Sequence, residues 1–186
     1  MRIKYNSPTV LTYAFLCALV LLLSQTILPS LTDAWFVVPG KADFSFRRFT
    51  DWIRLFTHVV GHGNWTHLIS NFSFILLIGP ILELTYGSLS LLFMIVVTAL
   101  VTGLLNAFLF PTALLGASGV VFMMILLASF TNFNKGEVPL TFILVLILYL
   151  GRELANSFQS NSISEFAHIV GGFCGSLFGF FKPARR

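Results

Sequence analysis

Apolar residues along this chain form six long runs, separated by short polar breaks and by one long mixed loop. The runs cover about residues 10–28, 68–85, 89–110, 115–131, 138–155 and 163–181, and the loop covers residues 29–67. Runs of this length with few internal charges are typical of membrane-spanning helices, which need about 20 apolar residues. The pattern predicts an all-α membrane protein, a six-helix transmembrane bundle that forms a single domain over residues 1–186.

Composition and charge agree with this class. Of the 186 residues, 56% are hydrophobic and 10% are charged, whereas globular domains carry about 25% charged residues. The net charge of +4 does not indicate a nucleic-acid partner, because the basic residues lie at the ends of the apolar runs. The first run follows Arg2 and Lys4, exceeds the apolar part of a signal peptide and lacks a small-residue cleavage site, so we expect a retained helix.

The loop over 29–67 mixes aromatic and basic residues. Trp35, Phe46 and Trp52 alternate with cations such as Arg47 and Arg48, a mixture typical of the membrane–water boundary. We expect the loop to be partly embedded in the outer leaflet, although aromatic residues folded back onto the bundle would produce the same pattern.

The start of the fourth run is the first candidate for chemistry. Gly116-Ala117-Ser118-Gly119 leaves little bulk around the serine hydroxyl, and the first N–H groups of a helix are free to stabilise an oxyanion. The same residues also suit an ordinary helix N-cap. A fourth helix of about 15 residues reaches roughly 22 Å of the ~30 Å hydrocarbon core. Ser118 is therefore expected below the outer membrane surface, in a cavity that admits water.

The sixth run carries a candidate base. His168 is followed by Gly171, Gly175 and Gly179 on the same helical face, and small residues at this spacing let two helices approach closely in lipid. Close approach would bring the imidazole to Ser118, as a general base requires. Every aspartate lies in the first loop, so the residues favour a Ser118–His168 dyad over a triad.

The second run adds two polar residues on one face. His67 and Asn71 are four residues apart, so their side chains lie one turn apart. Polar groups at membrane depth face a wet cavity or a neighbouring helix, and a hydrogen-bonded pair between helices would also account for them.

Cys17 and Cys174 lie within predicted helices, which argues against a disulfide framework.

These residues occur in an order that resembles a known family. The motifs are Arg54 with Phe56-Thr57-His58, His62 with His67-x-x-x-Asn71, Gly79-x-x-x-Glu83-x-x-x-Gly87, Gly116-x-Ser118-Gly119, and Ala167-His168-x-x-Gly171-x-x-x-Gly175. Together they resemble the rhomboid intramembrane serine proteases in their basic six-helix form. The resemblance extends over nearly the whole chain.

The resemblance implies roles for individual residues. Ser118 would be the nucleophile and His168 the base, with an oxyanion hole formed by His67, Asn71 and the Ser118 backbone N–H. His62 would be a structural and gating residue. The remaining supporting positions are Gly116, Gly119, Phe122, Gly171 and Gly175. Many family members have a tyrosine stacked on the histidine where this chain has Phe122, so the ring is kept and the hydroxyl is lost.

The implied function is endopeptidase hydrolysis of peptide bonds in or next to transmembrane segments of single-span membrane proteins. No cofactor and no metal are expected. The implied location is the lipid bilayer of a bacterial inner membrane, and the slight excess of basic residues on the terminal side predicts that both termini are cytoplasmic. The sequence leaves the oligomeric state open.

Two other hypotheses account for part of the pattern. A catalytically silent rhomboid-like protein would bind and route membrane partners without hydrolysis. A metal site could use His58, His62 and His67, but Gly61 and Gly63 interrupt a helix there and the chain has no His-Glu-x-x-His motif.

Overall fold

The computed structural model describes residues 3–130, 138, 140–157 and 162–181, with the backbone alone at 149–157 and 162–165. Within these residues the chain forms eight helices and one isolated antiparallel bridge. The helices are α1 (Pro8–Thr26), α2 (Leu31–Trp35), α3 (Phe49–Thr57), α4 (Trp65–Tyr86), α5 (Ser88–Leu109), α6 (Ser118–Ala128), α7 (Leu140–Ser157) and α8 (Ser162–Phe181).

Three helices of the described residues are long and apolar enough to cross a membrane, namely α1, α4 and α5. Shorter apolar helices occupy Ser118–Ala128 and Phe166–Phe181. The polar breaks on either side of the fifth apolar run lie largely outside the described residues, which omit 131–137 and 158–161. The described part of the chain is thus an all-helical bundle of long and short apolar helices.

The fourth apolar run becomes a shorter helix than the pattern suggests. The sequence predicts a helix over about 115–131, whereas α6 covers Ser118–Ala128. The preceding residues are held by other contacts, because Leu114 pairs with Val38 and Gly116 has a φ of 114°. A positive φ is incompatible with a right-handed helix and favours glycine. At 1.5 Å per residue, α6 is about 16 Å long, well short of a hydrocarbon core.

α6 is the central helix of the bundle. It contacts α4, α5, α7 and, most extensively, α8. Side chains all round α6 are buried, which is typical of a helix enclosed by other helices rather than one with a solvent face. The residue that opens α6, Ser118, therefore lies among its neighbours rather than at the edge of the molecule.

The first loop contains two helices that its mixed composition did not reveal. Arg54 of α3 donates to the Asp33 and Ala34 carbonyls at the end of α2, at 3.0 Å and 2.9 Å, and pairs with Asp51 at 2.7 Å. Asp51 is fully buried, and it also accepts a hydrogen bond from the Ser45 N–H at 2.9 Å. This network ties the loop into one packed unit.

Aromatic residues of the loop gather on its outer side. Phe44 and Phe46 lie 5.6 Å apart, and both contact Trp52 and Phe108 of α5 with ring centroids about 6 Å apart. Phe46 is 64% exposed. The cluster packs one edge of the loop against α5 and leaves apolar rings on the surface.

The Gly79–Glu83–Gly87 motif joins α4 to the N-terminus of α1. The Glu83 carboxylate is buried and accepts the Thr9 and Val10 N–H groups at 2.9 Å and 3.0 Å. Ser7, the N-cap residue of α1, makes no capping hydrogen bond, so Glu83 caps α1 from a distant part of the chain. Gly79 lets Val10 approach closely, and Gly87, with a φ of 86°, links α4 directly to α5.

We expect Glu83→Ala to lower stability by about 2–4 kcal/mol, because it leaves two buried N–H groups of α1 without acceptors. Glu83→Gln should cost less, since one carbonyl oxygen remains to accept. Thermal unfolding in detergent micelles measures both, with Thr85→Ala on the exposed side of α4 as the control. Equal midpoints for Glu83→Ala and Thr85→Ala would contradict the capping role.

Candidate active site

The two candidate catalytic residues lie where α6 and α8 meet backbone to backbone. A Cβ atom placed on Gly171 would overlap the Gly119 carbonyl oxygen, and one placed on Gly175 would overlap the Met123 carbonyl oxygen. A Cβ atom on Gly119 would be 3.2 Å from the Ala167 carbonyl oxygen. Glycine is therefore required on this face of α8 for the two helices to touch.

This contact joins the segment of α6 that begins with Ser118 to the segment of α8 that carries His168. Ser118 precedes Gly119 as the first residue of α6, and His168 follows Ala167 on α8. One turn into α6, the Phe122 ring lies flat on the His168 imidazole, with ring centroids 4.2 Å apart and an interplanar angle of 4°. Both Ser118 and His168 are half-buried. The stacking fixes the plane of the imidazole beside the N-terminus of α6.

His67 and Asn71 border the same spot from α4. A Cβ atom on Gly116 would lie 2.6 Å from Cε1 and 2.7 Å from Nε2 of His67, and 3.8 Å from the Asn71 side-chain nitrogen. Any side chain at residue 116 would displace the His67 ring. Because residue 116 is a glycine, the His67 imidazole and the Asn71 amide can lie next to the backbone just before Ser118.

His62 orients the Asn71 amide. The Asn71 Nδ2 group donates to His62 Nε2 at 3.2 Å, and the Nδ1–H of the same ring donates to the Val60 carbonyl at 3.1 Å. Burial, together with the neighbouring His67, lowers the pKa of His62 to about 4. The ring is neutral at pH 7, which allows Nε2 to accept the amide N–H.

The first loop holds the segment that leads into Ser118. Val38 and Leu114 exchange two backbone hydrogen bonds of 3.0 Å and 2.9 Å, and the Gly116 N–H donates to the His58 carbonyl at 3.0 Å. Lys41 and Gly40 contact the backbone at Phe110 and Pro111. The conformation before α6 is therefore determined by residues more than fifty positions earlier.

His58 is a structural residue that the sequence placed only in a motif and in the metal hypothesis. Its Nδ1 donates to the Arg54 carbonyl at 3.2 Å, and its Nε2 accepts from the Thr102 hydroxyl at 3.3 Å. Burial lowers the pKa of His58 to about 4. The signal for its role lies on α5, where Thr98, Thr102 and Asn106 recur every four residues and are all buried. Across the described ranges, no three His, Cys, Asp or Glu side chains are grouped as metal ligands.

The sequence of the whole chain is similar to known proteins. A sequence model of the rhomboid domain matches residues 50–185, which include α3 to α8. The chain belongs to the rhomboid family.

Two rhomboid relatives show how far the similarity extends. The chain is 26% identical over 136 residues to rhomboid protease GlpG of Haemophilus influenzae, covering 72% of this chain and 71% of that protein. It is 25% identical over 152 residues to the chloroplastic rhomboid-like protein 11 of Arabidopsis thaliana, covering 80% of this chain and about half (51%) of that protein. Family membership and the long apolar helices together make this rhomboid an integral membrane protein.

We expect Gly171→Ala to separate α6 from α8, because the added methyl group overlaps the Gly119 carbonyl oxygen. Overpacking of this kind costs about 1–3 kcal/mol, which thermal unfolding in detergent measures. The matched control is Gly172→Ala, whose methyl group would meet Leu126 at an ordinary 3.5 Å. If Gly171→Ala were as stable as Gly172→Ala, the backbone contact would not limit the packing of this helix pair.

The two buried histidines predict a stability that falls with acidity. Their folded pKa of about 4 is below the ordinary value of about 6.5, so between these values the unfolded chain binds protons that the folded chain excludes. These groups cease to affect stability only about one pH unit above 6.5, and stability decreases as pH falls through this window. The unfolding midpoint should drop by roughly 5 °C or more between pH 7 and pH 5.

The control for this measurement is a His58→Asn, His62→Asn double variant. Its midpoint should change much less over the same range, where carboxylates stay ionised. A parent midpoint independent of pH, or an unchanged slope in the double variant, would contradict the neutral state of the two rings.

Proposed function

We propose that this rhomboid is an intramembrane serine endopeptidase, which hydrolyses peptide bonds in or next to transmembrane segments of single-span membrane proteins with a Ser118–His168 dyad. The observation that carries the proposal is the contact of Gly119 with Ala167 and Gly171, together with the stacking of Phe122 on His168. A hydroxyl and an imidazole on adjoining residues of two touching helices meet the first requirement of nucleophilic catalysis.

In the first chemical step, Ser118 Oγ attacks the substrate carbonyl carbon while His168 takes the hydroxyl proton. An Oγ–C bond forms, and the tetrahedral intermediate carries the negative charge on its oxygen. His168 then gives the proton to the leaving amine as the C–N bond breaks. Water, activated by the same imidazole, hydrolyses the acyl-enzyme and regenerates Ser118.

The oxyanion of this intermediate has donors on two sides. The N–H groups at the start of α6, including that of Ser118, lack intrahelical acceptors and lie at the positive end of the helix dipole. His67 and Asn71 border the other side of Gly116 and would donate from α4. His62 has a positioning role, because it accepts one Asn71 N–H and thereby fixes the direction of the amide.

The proposed membrane arrangement has six spans, formed by α1, α4, α5, α6, α7 and α8, in a single domain with both termini in the cytoplasm of a bacterial cell. The short α6 would then place Ser118 below the outer surface of the bilayer. The exposed aromatic rings of the first loop support a position for this loop in the outer leaflet. Substrates must unwind locally to reach Ser118, so helix-weak transmembrane segments are the expected class.

The decisive experiment reconstitutes the full chain in liposomes with tagged single-span reporters. Ser118→Ala should reduce cleavage by at least about 10³-fold, because it removes the nucleophile. Ser70→Ala, which changes an exposed serine of α4, is the control and should cleave like the parent. Cleavage by Ser118→Ala at the rate of the parent would overturn the proposal.

A serine-reactive fluorophosphonate probe separates the protease from a silent binding protein. The parent and Ser70→Ala should be labelled, whereas Ser118→Ala should not. A parent that neither reacts with the probe nor cleaves any reporter would support the binding protein instead.

A further inference from the structure

A groove of about 380 Å³ runs between α1 and α5. Its α1 wall includes Thr12 and Leu16, and its α5 wall includes Leu92, Val96 and Ala99. The α5 residues recur at intervals of three and four, so they form one helical face. The volume is within the range of small-molecule sites in proteins, and the lining is almost wholly apolar.

The groove is continuous with the surface that faces lipid. Leu16, Leu92 and Val96 line it and are each more than 40% exposed, on two helices that are long and apolar enough to cross a membrane. In a bilayer, the molecule beside such a surface is a phospholipid, whose acyl chain can leave the bulk membrane and lie in the groove without crossing a polar barrier.

The groove has polar lining residues near the N-terminal end of α1, and an exposed lysine lies next to this end in sequence. The Tyr5 hydroxyl lies 2.9 Å from the hydroxyl of Thr12, which lines the groove, and Lys4 precedes Tyr5 on the exposed surface. The Glu83 carboxylate, which bonds to this end of α1, is buried against the α1 N–H groups. The exposed charge is thus complementary to a phosphodiester.

We propose that this groove is a phospholipid-binding site, with an acyl chain between α1 and α5 and the phosphate at Lys4, Tyr5 and Thr12. The acyl chain would contact the apolar walls along the stretch of α1 from Pro8 to Leu16, at most about two and a half turns. The site is separate from Ser118 and His168, and no catalytic residue lines it.

The inner wall of the groove includes a segment that bonds to His62, the residue that orients Asn71. Val59 and Val60 line the groove. The Val59 carbonyl accepts from the Tyr13 hydroxyl at 2.7 Å, and the Val60 carbonyl accepts from His62. A bound acyl chain would pack against Val59 and Val60 and would thereby restrict the motion of residues 59–62. Any consequence for hydrolysis rests on the proposed function, whereas the binding site does not.

The test uses the full chain in phosphatidylcholine nanodiscs that contain a phosphatidylcholine with a diazirine in the middle of one acyl chain. After photolysis, mass spectrometry of peptides should find label concentrated at residues 8–16 and 92–99. Val96→Phe fills the groove from an exposed position and should reduce that label at least about tenfold. Ile81→Phe, a change at a more exposed position of α4 outside the groove, should leave it unchanged.

Two further measurements test the phosphate contact and the effect of lipid on residues 59–62. Lys4→Gln should reduce the label about threefold, as expected for loss of one exposed ion contact. Backbone amide exchange at residues 59–62 should be faster after lipid is removed by detergent, and should return to its starting rate when phosphatidylcholine is restored. Neither measurement depends on peptide hydrolysis, so a failure here is distinct from a failure of the protease.

The proposal is overturned if label spreads evenly over all lipid-facing helices, or if Val96→Phe keeps the label of the parent while its unfolding midpoint shows that it is folded. If Val96→Phe does not fold, Leu92→Phe on the same face provides the same comparison. If lipid does not change amide exchange at residues 59–62, the inference that a bound acyl chain stabilises this segment is wrong.

Discussion

The contact of α6 with α8 at Gly119 and Gly171 is the constraint on which the rest of the structure depends. Two helices in lipid gain little from the hydrophobic effect, since lipid tails are as apolar as their side chains. What holds them is close packing, and the absence of a Cβ atom at Gly171 and Gly175 allows α8 to touch the carbonyl groups of α6. The close approach that these glycines allow also brings the imidazole of His168 onto Phe122. The same helix contact therefore stabilises the bundle and positions the candidate base.

The first loop then determines how the chain enters α6. Val38 pairs with Leu114, and the His58 carbonyl accepts the Gly116 N–H. These bonds hold residues 114–116 in a non-helical conformation, so the helix begins at Ser118. The first N–H groups of the helix therefore have no intrahelical acceptor. The first loop therefore holds the backbone that leads into Ser118. The loop itself is held together by the ion pair of Arg54 with the buried Asp51.

Polar groups in this apolar protein have two kinds of use. Some satisfy backbone groups that membrane burial would otherwise leave without acceptors or donors, as Glu83 does at α1 and Asn106 does at the Thr112 carbonyl, at 2.9 Å. Others, His62 and Asn71, orient one another beside the candidate nucleophile. The groove between α1 and α5 adjoins both sets, because its lining includes Thr9, whose N–H donates to Glu83, and Val60, whose carbonyl accepts from His62.

By itself, the sequence determined the all-helical membrane class and the family, and its glycine spacing singled out Ser118 and His168 as candidates whose catalytic roles stay a prediction. Apolar run length and i, i+4 spacing are local properties, which is why the chain alone carries them. The start of α6 at Ser118, the helices α2 and α3, the burial of Glu83 and the role of His58 were decided only by the tertiary structure. Each depends on contacts between residues distant in sequence, and neither hydrophobic pattern nor charge specifies which distant group will meet which.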